Sequence, residues 1–87
     1  MNWTTIRRAS TEDIAALDRA AERFCRRHHI DTENIAALTA INYEIWREQE
    51  DANGRPLYTL WRRIVIRTLG HPYAEGIVYG CVGYKSK

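Results

Sequence analysis

Residues 71–84 of the chain read HPYAEGIVYGCVGY, and the conformation of this stretch decides between two folds. Ile77, Val78 and Val82 are β-branched, and such residues favour a strand because their side chains pack well on a pleated surface. The glycines in this stretch also weaken a helix, by about 1 kcal/mol each relative to alanine. As a strand, the segment would pair with residues 2–8, NWTTIRR, which also contain Trp, Thr and Ile.

The same stretch also fits a short helix. Pro72 and Glu75 suit a first helical turn, where proline needs no N–H and an acidic residue favours the helix dipole. Gly76, Gly80 and Gly83 would then share one helical face, which lets another backbone approach closely. We therefore predict a C-terminal fourth helix, with a strand paired to residues 2–8 as the alternative.

Three helices are predicted upstream, at about 11–28, 33–51 and 56–69, so the fold class is mainly α, a compact helical bundle. Ser10 caps the first helix, with Asp13 three residues further on. The break DANGRP, residues 51–56, separates the second helix from the third through an Asn-Gly turn. The residues predicted to face inward are mostly apolar and recur at helical spacing. They are Ile14, Leu17, Ala21, Phe24, Cys25 and His28, then Ile35, Leu38, Ile41, Ile45 and Ala52, then Leu57, Leu60, Trp61, Ile64 and Thr68.

The sequence CRRHH, residues 25–29, is predicted to be the end of the first helix and a short turn, because cations favour the last turn of a helix. A metal site is the alternative, since Cys25 and His28 are three residues apart. It would need two further ligands from His29, His71 and Cys81, and no paired C-x₂-C is present. We expect no metal and no cofactor.

Length and composition indicate a single small domain. The chain has 87 residues, and none of its apolar runs approaches the roughly 20 residues of a membrane span. We expect a cytoplasmic protein with no membrane contact. Residues 1–27, 28–53 and 54–87 carry net charges of +2, −5 and +5. This separation fits a compact fold in which the acidic middle packs against both basic flanks, and it also fits a dipolar surface that recognises a charged partner.

Motifs for catalysis are lacking, so we expect no enzyme. The stretch TIRRASTEDIAALDRAAERF, residues 5–24, resembles the opening strand and helix of GNAT-type acetyltransferases. That resemblance implies an acetyl-CoA loop of the form Q/R-x-x-G-x-G/A further along the chain. The nearest match is residues 67–72, RTLGHP, where Pro72 stands in place of the last small residue.

A second stretch, IAALTAINYEIWREQE at residues 35–50, resembles the core of helix-turn-helix DNA-binding proteins. The resemblance implies a packing alanine, an apolar residue after the turn, a helix cap and a buried residue of the recognition helix, at Ala36, Ile41, Asn42 and Trp46. Ala40 stands where the family has its turn glycine. DNA binding is therefore the alternative function, with backbone contacts from Arg62, Arg63 and Arg67.

The predicted function is that of a small non-enzymatic protein-binding module. Its size and Arg-rich composition are typical of phage and mobile-element accessory proteins that inhibit a host defence complex by occluding a site, as anti-CRISPR proteins do. The partner would be a protein or a large ribonucleoprotein complex in a bacterial host cell, and a homodimer is also expected. Acidic residues would imitate phosphates, and arginines, one outward isoleucine and aromatics would form the contact surface. The candidate residues are Glu44, Glu48, Glu50 and Asp51, then Arg62, Arg63, Ile66 and Arg67, then Trp3, Tyr73 and Tyr79.

Overall fold

The computed structural model describes residues 2–34 and 43–86, and in them helices combine with an antiparallel sheet. The prediction of a mainly α bundle is therefore wrong. The elements in chain order are β1 (Asn2–Arg8), α1 (Thr11–Arg27), a turn of 3₁₀-helix (Thr32–Asn34), α2 (Tyr43–Arg47), α3 (Tyr58–Leu69), β2 (Gly76–Val78) and β3 (Cys81–Ser86).

The sheet has the strand order β1-β3-β2, with β3 in the middle and antiparallel to both neighbours. Asn2 lies opposite Ser86 and Arg8 lies opposite Cys81, with a β-bulge between Thr5 and Arg7. The C-terminal segment thus forms two strands where a fourth helix was predicted. Its pairing with residues 2–8 is the alternative that the sequence left open.

Gly80 and Gly83 explain why residues 76–86 form a hairpin and not a helix. Tyr79 and Gly80 have φ angles of 53° and 75°, the left-handed pair that a two-residue hairpin turn requires. At Gly83, an added Cβ would lie 2.2 Å from the carbonyl oxygen of Thr4 and 2.6 Å from Nε1 of Trp3. Gly83 therefore permits the close approach of β1 to β3, Gly80 occupies the turn and Gly76 lies on β2, so the three glycines do not share a helical face.

The first helix is confirmed. Ser10 and Asp13 form a reciprocal capping box at its start. The CRRHH stretch ends it as predicted, because α1 stops at Arg27, His28 is the C-cap and His29 adopts a left-handed φ of 56°. The predicted apolar face is buried at Leu17, Ala21, Phe24 and Cys25, joined by Ala20.

The second helix was predicted to run to residue 51, but α2 ends at Arg47. Glu50 forms a β-bridge with Pro56 instead. The side chain of Asp51 accepts hydrogen bonds from the backbone N–H groups of Asn53 and Arg55, at 2.8 and 2.9 Å. These local bonds compete with helical bonds and close a turn. The predicted positions 35–42 lie outside the described residues.

The third helix begins at Tyr58, two residues later than predicted, and ends at Leu69 with Gly70 as a left-handed cap. Its buried positions are four residues apart, at Leu57, Trp61, Val65 and Leu69. Leu60, which was predicted to face inward, is 43% exposed. The buried face keeps Leu57 and Trp61 as predicted but continues through Val65 and Leu69. Ile64 and Thr68, which were predicted there, are half-buried.

The core is built on three aromatic rings. Trp46 and Trp61 lie 4.6 Å apart between ring centroids, and Phe24 meets the edge of Trp46 at 4.9 Å. Phe24, near the end of α1, also packs on Trp61 at the start of α3. These contacts join opposite ends of the two helices, so α1 and α3 run antiparallel. The core also contains Leu17, Ala21, Cys25, Leu57, Val65, Leu69, Ala74, Ile77 and Val82.

Candidate functional site: an arginine groove between α1 and α3

A surface groove lies where α1 and α3 pack side by side. It consists of two adjoining hollows of about 170 Å³ and 210 Å³ that share Phe24, Arg27, Ile64 and Arg67. We call this feature the arginine groove. It is lined from α1 by Ala20, Arg23, Phe24, Arg27 and the C-cap His28, and from α3 by Leu60, Arg63, Ile64, Arg67 and Thr68.

Two rows of arginines form the banks of the groove. Arg23 and Arg27 are one helical turn apart on α1, and Arg63 and Arg67 are one turn apart on α3. All four side chains are exposed. Among the described residues, none of these four guanidiniums forms an ion pair, whereas Arg7 pairs with Asp13 and Arg55 with Asp51. Four exposed cations around one groove favour an anionic partner.

The floor of the groove is apolar. Ile64 is half-buried and Leu60 is 43% exposed, so an aliphatic surface is accessible between the banks. Phe24 is only 2% exposed, and the ring of His28 packs on it with centroids 4.5 Å apart. The rings beneath the floor are therefore largely covered, and a ligand would meet aliphatic side chains between guanidiniums.

The structure brings some predicted site residues together and separates others. Arg63 and Arg67 line the arginine groove, whereas Arg62 is exposed on the same helix but does not line it. Ile66, predicted to face outward, is half-buried and also lies outside the lining. An outward Ile66 and a free glycine face were two of the features that favoured a homodimer, but Ile66 is half-buried and Gly76 and Gly83 are buried in the sheet.

The acidic candidates do not form one helical face. The side chain of Glu44 lies outside the described part of the chain. Glu48 and Glu50 are exposed but follow the end of α2. Glu50 lies with Arg27 and His28 around a further hollow, at one end of the arginine groove. The carboxylate of Asp51 is held by the N–H groups of Arg55 and Asn53 and by the Arg55 side chain, which lower its pKa.

The aromatic candidates lie elsewhere. Tyr79 is 99% exposed at the β2–β3 turn. Tyr73 is 62% exposed, with ring centroids 5.7 Å from His71 and 6.1 Å from Tyr84. Trp3 is half-buried with its indole against the backbone at Gly83. None of these aromatic residues lines the arginine groove.

Sequence reasoning missed Arg23 and Arg27 as site residues. Arg23 is not among the residues predicted to face inward and received no role, and Arg27 was explained by the helix dipole. A signal was present, because Arg19, Arg23 and Arg27 recur every fourth residue. Such a row of like charges destabilises an isolated helix, so it favours a negatively charged group bound nearby.

A metal centre, an acetyl-CoA loop and a DNA-binding helix-turn-helix gain no support from the described residues. Among them, no group of three or more His, Cys, Asp or Glu side chains is placed to hold a metal ion. Gly70 caps the C-terminus of α3, so the RTLGHP stretch lies where the helix dipole disfavours phosphate. The positions of the helix-turn-helix resemblance from 36 to 42 lie outside the described residues.

No described helix combines the length and apolarity needed to cross a membrane.

Comparisons of the chain with protein-family models, with curated proteins and with solved structures found no match.

Proposed function

We propose that this protein is a non-enzymatic binding module that docks on an acidic surface of a protein partner through the arginine groove. The observation that carries this proposal is the set of four exposed arginines around an aliphatic floor. Guanidinium groups bind carboxylates with two parallel hydrogen bonds. Arginine is also among the residues that dominate protein-binding hot spots.

The chemistry of the arginine groove supports binding over catalysis. Its two adjoining hollows, of about 170 and 210 Å³, have an arginine on either side and an aliphatic floor. Guanidiniums stay protonated in proteins, so they bind anions but do not exchange protons as acids and bases.

The floor supports a protein partner over a nucleic acid. Single-stranded nucleic acids bind through bases stacked on exposed aromatic rings, but Phe24 and Trp61 are each only 2% exposed. The net charge of the whole chain is only +2, which gives weak attraction to a polyanion. DNA binding through a helix-turn-helix stays a prediction, since none of the described residues adds to it.

The proposed mode of action is occlusion. A chain of 87 residues that covers an acidic site on a larger complex would block whatever that site normally binds. The anti-CRISPR-like role predicted from size and composition belongs to this proposal, and the arginine groove supplies its contact surface.

A photo-cross-linking experiment in cells of the source organism tests the proposal. A photoreactive phenylalanine replaces Leu60, which lines the groove, or Arg62, which is exposed on the same helix outside it. We expect adducts from position 60 that are destroyed by protease and resist nuclease, with few from position 62. Adding Arg23→Glu and Arg67→Glu should abolish them. Nuclease-sensitive adducts, or equal yields from both positions, would overturn the proposal.

A further inference from the structure

We infer that the occupant of the arginine groove is an acidic amphipathic helix of the partner protein. This inference rests on the proposed function and names the partner's local structure. Its basis is the combination of an aliphatic floor, two parallel banks of arginines at helical spacing, and a short length.

The aliphatic floor requires apolar side chains from the ligand. Leu60 and Ile64 are four residues apart and present adjacent apolar surface along the axis of α3. A polyanion without apolar groups would leave this surface uncovered or would desolvate charge against it. A helix with apolar residues at every third and fourth position presents a matching stripe, as in other helix-in-groove complexes.

The two rows of arginines favour a bound helix with carboxylates on both sides of its apolar stripe. Arg23 lines the same hollow as Arg67, and Arg27 lines the same hollow as Arg63, so each turn of the groove has an arginine on either bank. Acidic side chains that flank the apolar stripe of a bound helix recur once per turn as well. The spacing of the arginines along the groove therefore matches the spacing of the acidic side chains along the helix, and each carboxylate could bind a guanidinium.

The length of the groove favours a short segment over a long polyanion. The lining extends from Ala20 to His28 on α1 and from Leu60 to Thr68 on α3, which is about 12 Å at 1.5 Å per residue. Beyond Arg27, the exposed carboxylate of Glu50 lies at the adjoining hollow. A continuous polyanion would meet this negative charge, whereas a helix of two to three turns can end before it.

Fluorescence anisotropy with defined probes tests the inference. The main probe is a labelled peptide of about 18 residues, or about five helical turns. Its central three turns carry leucines in an i, i+3, i+4, i+7 stripe flanked by glutamates, and neutral helix-forming residues extend both ends because shorter helices are marginal in water. A scrambled peptide of the same composition lacks the stripe, and a single-stranded oligonucleotide of equal charge lacks the apolar groups. The full-length protein carries either Arg23→Glu with Arg67→Glu, or Arg26→Glu with Arg62→Glu. These pairs change net charge equally, and the second alters exposed arginines outside the groove.

We expect the amphipathic peptide to bind at least about tenfold more tightly than either other probe, and the groove variant to weaken it about tenfold. The control variant should change its Kd less than threefold, and circular dichroism should show both variants folded. Equal binding of the two peptides would overturn the helical occupant. If cross-linking from position 60 still gives protein adducts, the proposed function survives that result. Tighter binding of the oligonucleotide would overturn the inference and count against a protein partner.

Discussion

The guanidinium of Arg7 donates hydrogen bonds to both carboxylate oxygens of Asp13, and its Nη2 also donates to the carbonyl oxygen of Leu69 at 3.0 Å. Asp13 completes the capping box of α1, since its Oδ2 accepts the N–H of Ser10 at 2.8 Å. One side chain of β1 thereby links the start of α1 to the end of α3. It also satisfies one of the carbonyls that every helix leaves free at its C-terminus.

This link predicts a measurable coupling between the two residues. In a double-mutant cycle of Arg7→Ala and Asp13→Ala, we expect a coupling free energy of about 1 kcal/mol, because the contact is bidentate although partly exposed. Urea denaturation of the four proteins measures it. Arg8→Ala, at an exposed neighbouring position, should change stability by less than about 0.5 kcal/mol. Strictly additive losses from the two single changes would contradict the coupling.

The same contact predicts a loss of stability in acid. Hydrogen bonds from the Arg7 side chain and the Ser10 N–H lower the pKa of Asp13 from 3.8 to about 2. The folded pKa lies below the unfolded one, so this carboxylate stabilises the fold above about pH 4 and the contribution is lost as pH falls toward 2. We expect a loss of about 1 kcal/mol, reduced by the exposure of Arg7. Denaturation of the parent protein and of Asp13→Asn from pH 5 to pH 2 tests this, because the variant should lack that component. Identical pH profiles would contradict it.

Gly83→Ala should be among the most damaging small changes in the sheet. The new methyl would lie 2.2 Å from a backbone oxygen of Thr4, which cannot move without separating β1 from β3. We expect a loss of about 3 kcal/mol in unfolding free energy. Gly80→Ala is the matched control, since open space surrounds that position and only its φ of 75° opposes a side chain, at about 1 kcal/mol. Chemical denaturation should therefore rank Gly83→Ala well below Gly80→Ala, and the reverse order would contradict the close approach.

The difference between local and distant signals explains which parts of the fold were predictable. The capping box of Ser10 and Asp13 and the CRRHH ending of α1 are local patterns, and both predictions were confirmed. Gly76, Gly80 and Gly83 were assigned to one helical face because the residues that require a glycine at position 83 are Trp3 and Thr4, about 80 residues away in the sequence. No pattern within residues 71–84 indicates a contact with Trp3 and Thr4.

Only one side of the arginine groove could be predicted from the sequence, because its two sides come from helices that are distant in the chain. Arg63 and Arg67 were candidates from composition alone, but Arg23 and Arg27 become their neighbours only through the antiparallel packing of α1 on α3. That packing is fixed by Phe24 against Trp61. The position of an aromatic contact, set in three dimensions, thus decides which arginines act together.

The two cysteines should differ in reactivity. Cys25 is fully buried in the core, and burial raises the pKa of its thiol, while Cys81 is half-buried on β3. Because the thiolate is the reactive form, we expect a disulfide reagent to modify Cys81 first in the folded protein and both thiols in urea. Cys81→Ser should remove the early reaction, and Cys25→Ser should leave it. Equal rates for the two thiols without denaturant would contradict the burial of Cys25.

Tyr79→Asn should stabilise the protein. Tyr79 has a left-handed φ of 53° and is 99% exposed, so it carries backbone strain and buries almost no surface. Asparagine before glycine is the preferred pair in this type of hairpin turn, and we expect a gain of about 0.5–1 kcal/mol. Tyr79→Phe keeps the strain and should leave stability unchanged, which makes it the matched control. Thermal denaturation compares the three proteins, and a lower Tm for Tyr79→Asn would show that the tyrosine ring makes a stabilising contact. Because Tyr79 lies outside the arginine groove, both variants should bind the amphipathic peptide as the parent protein does.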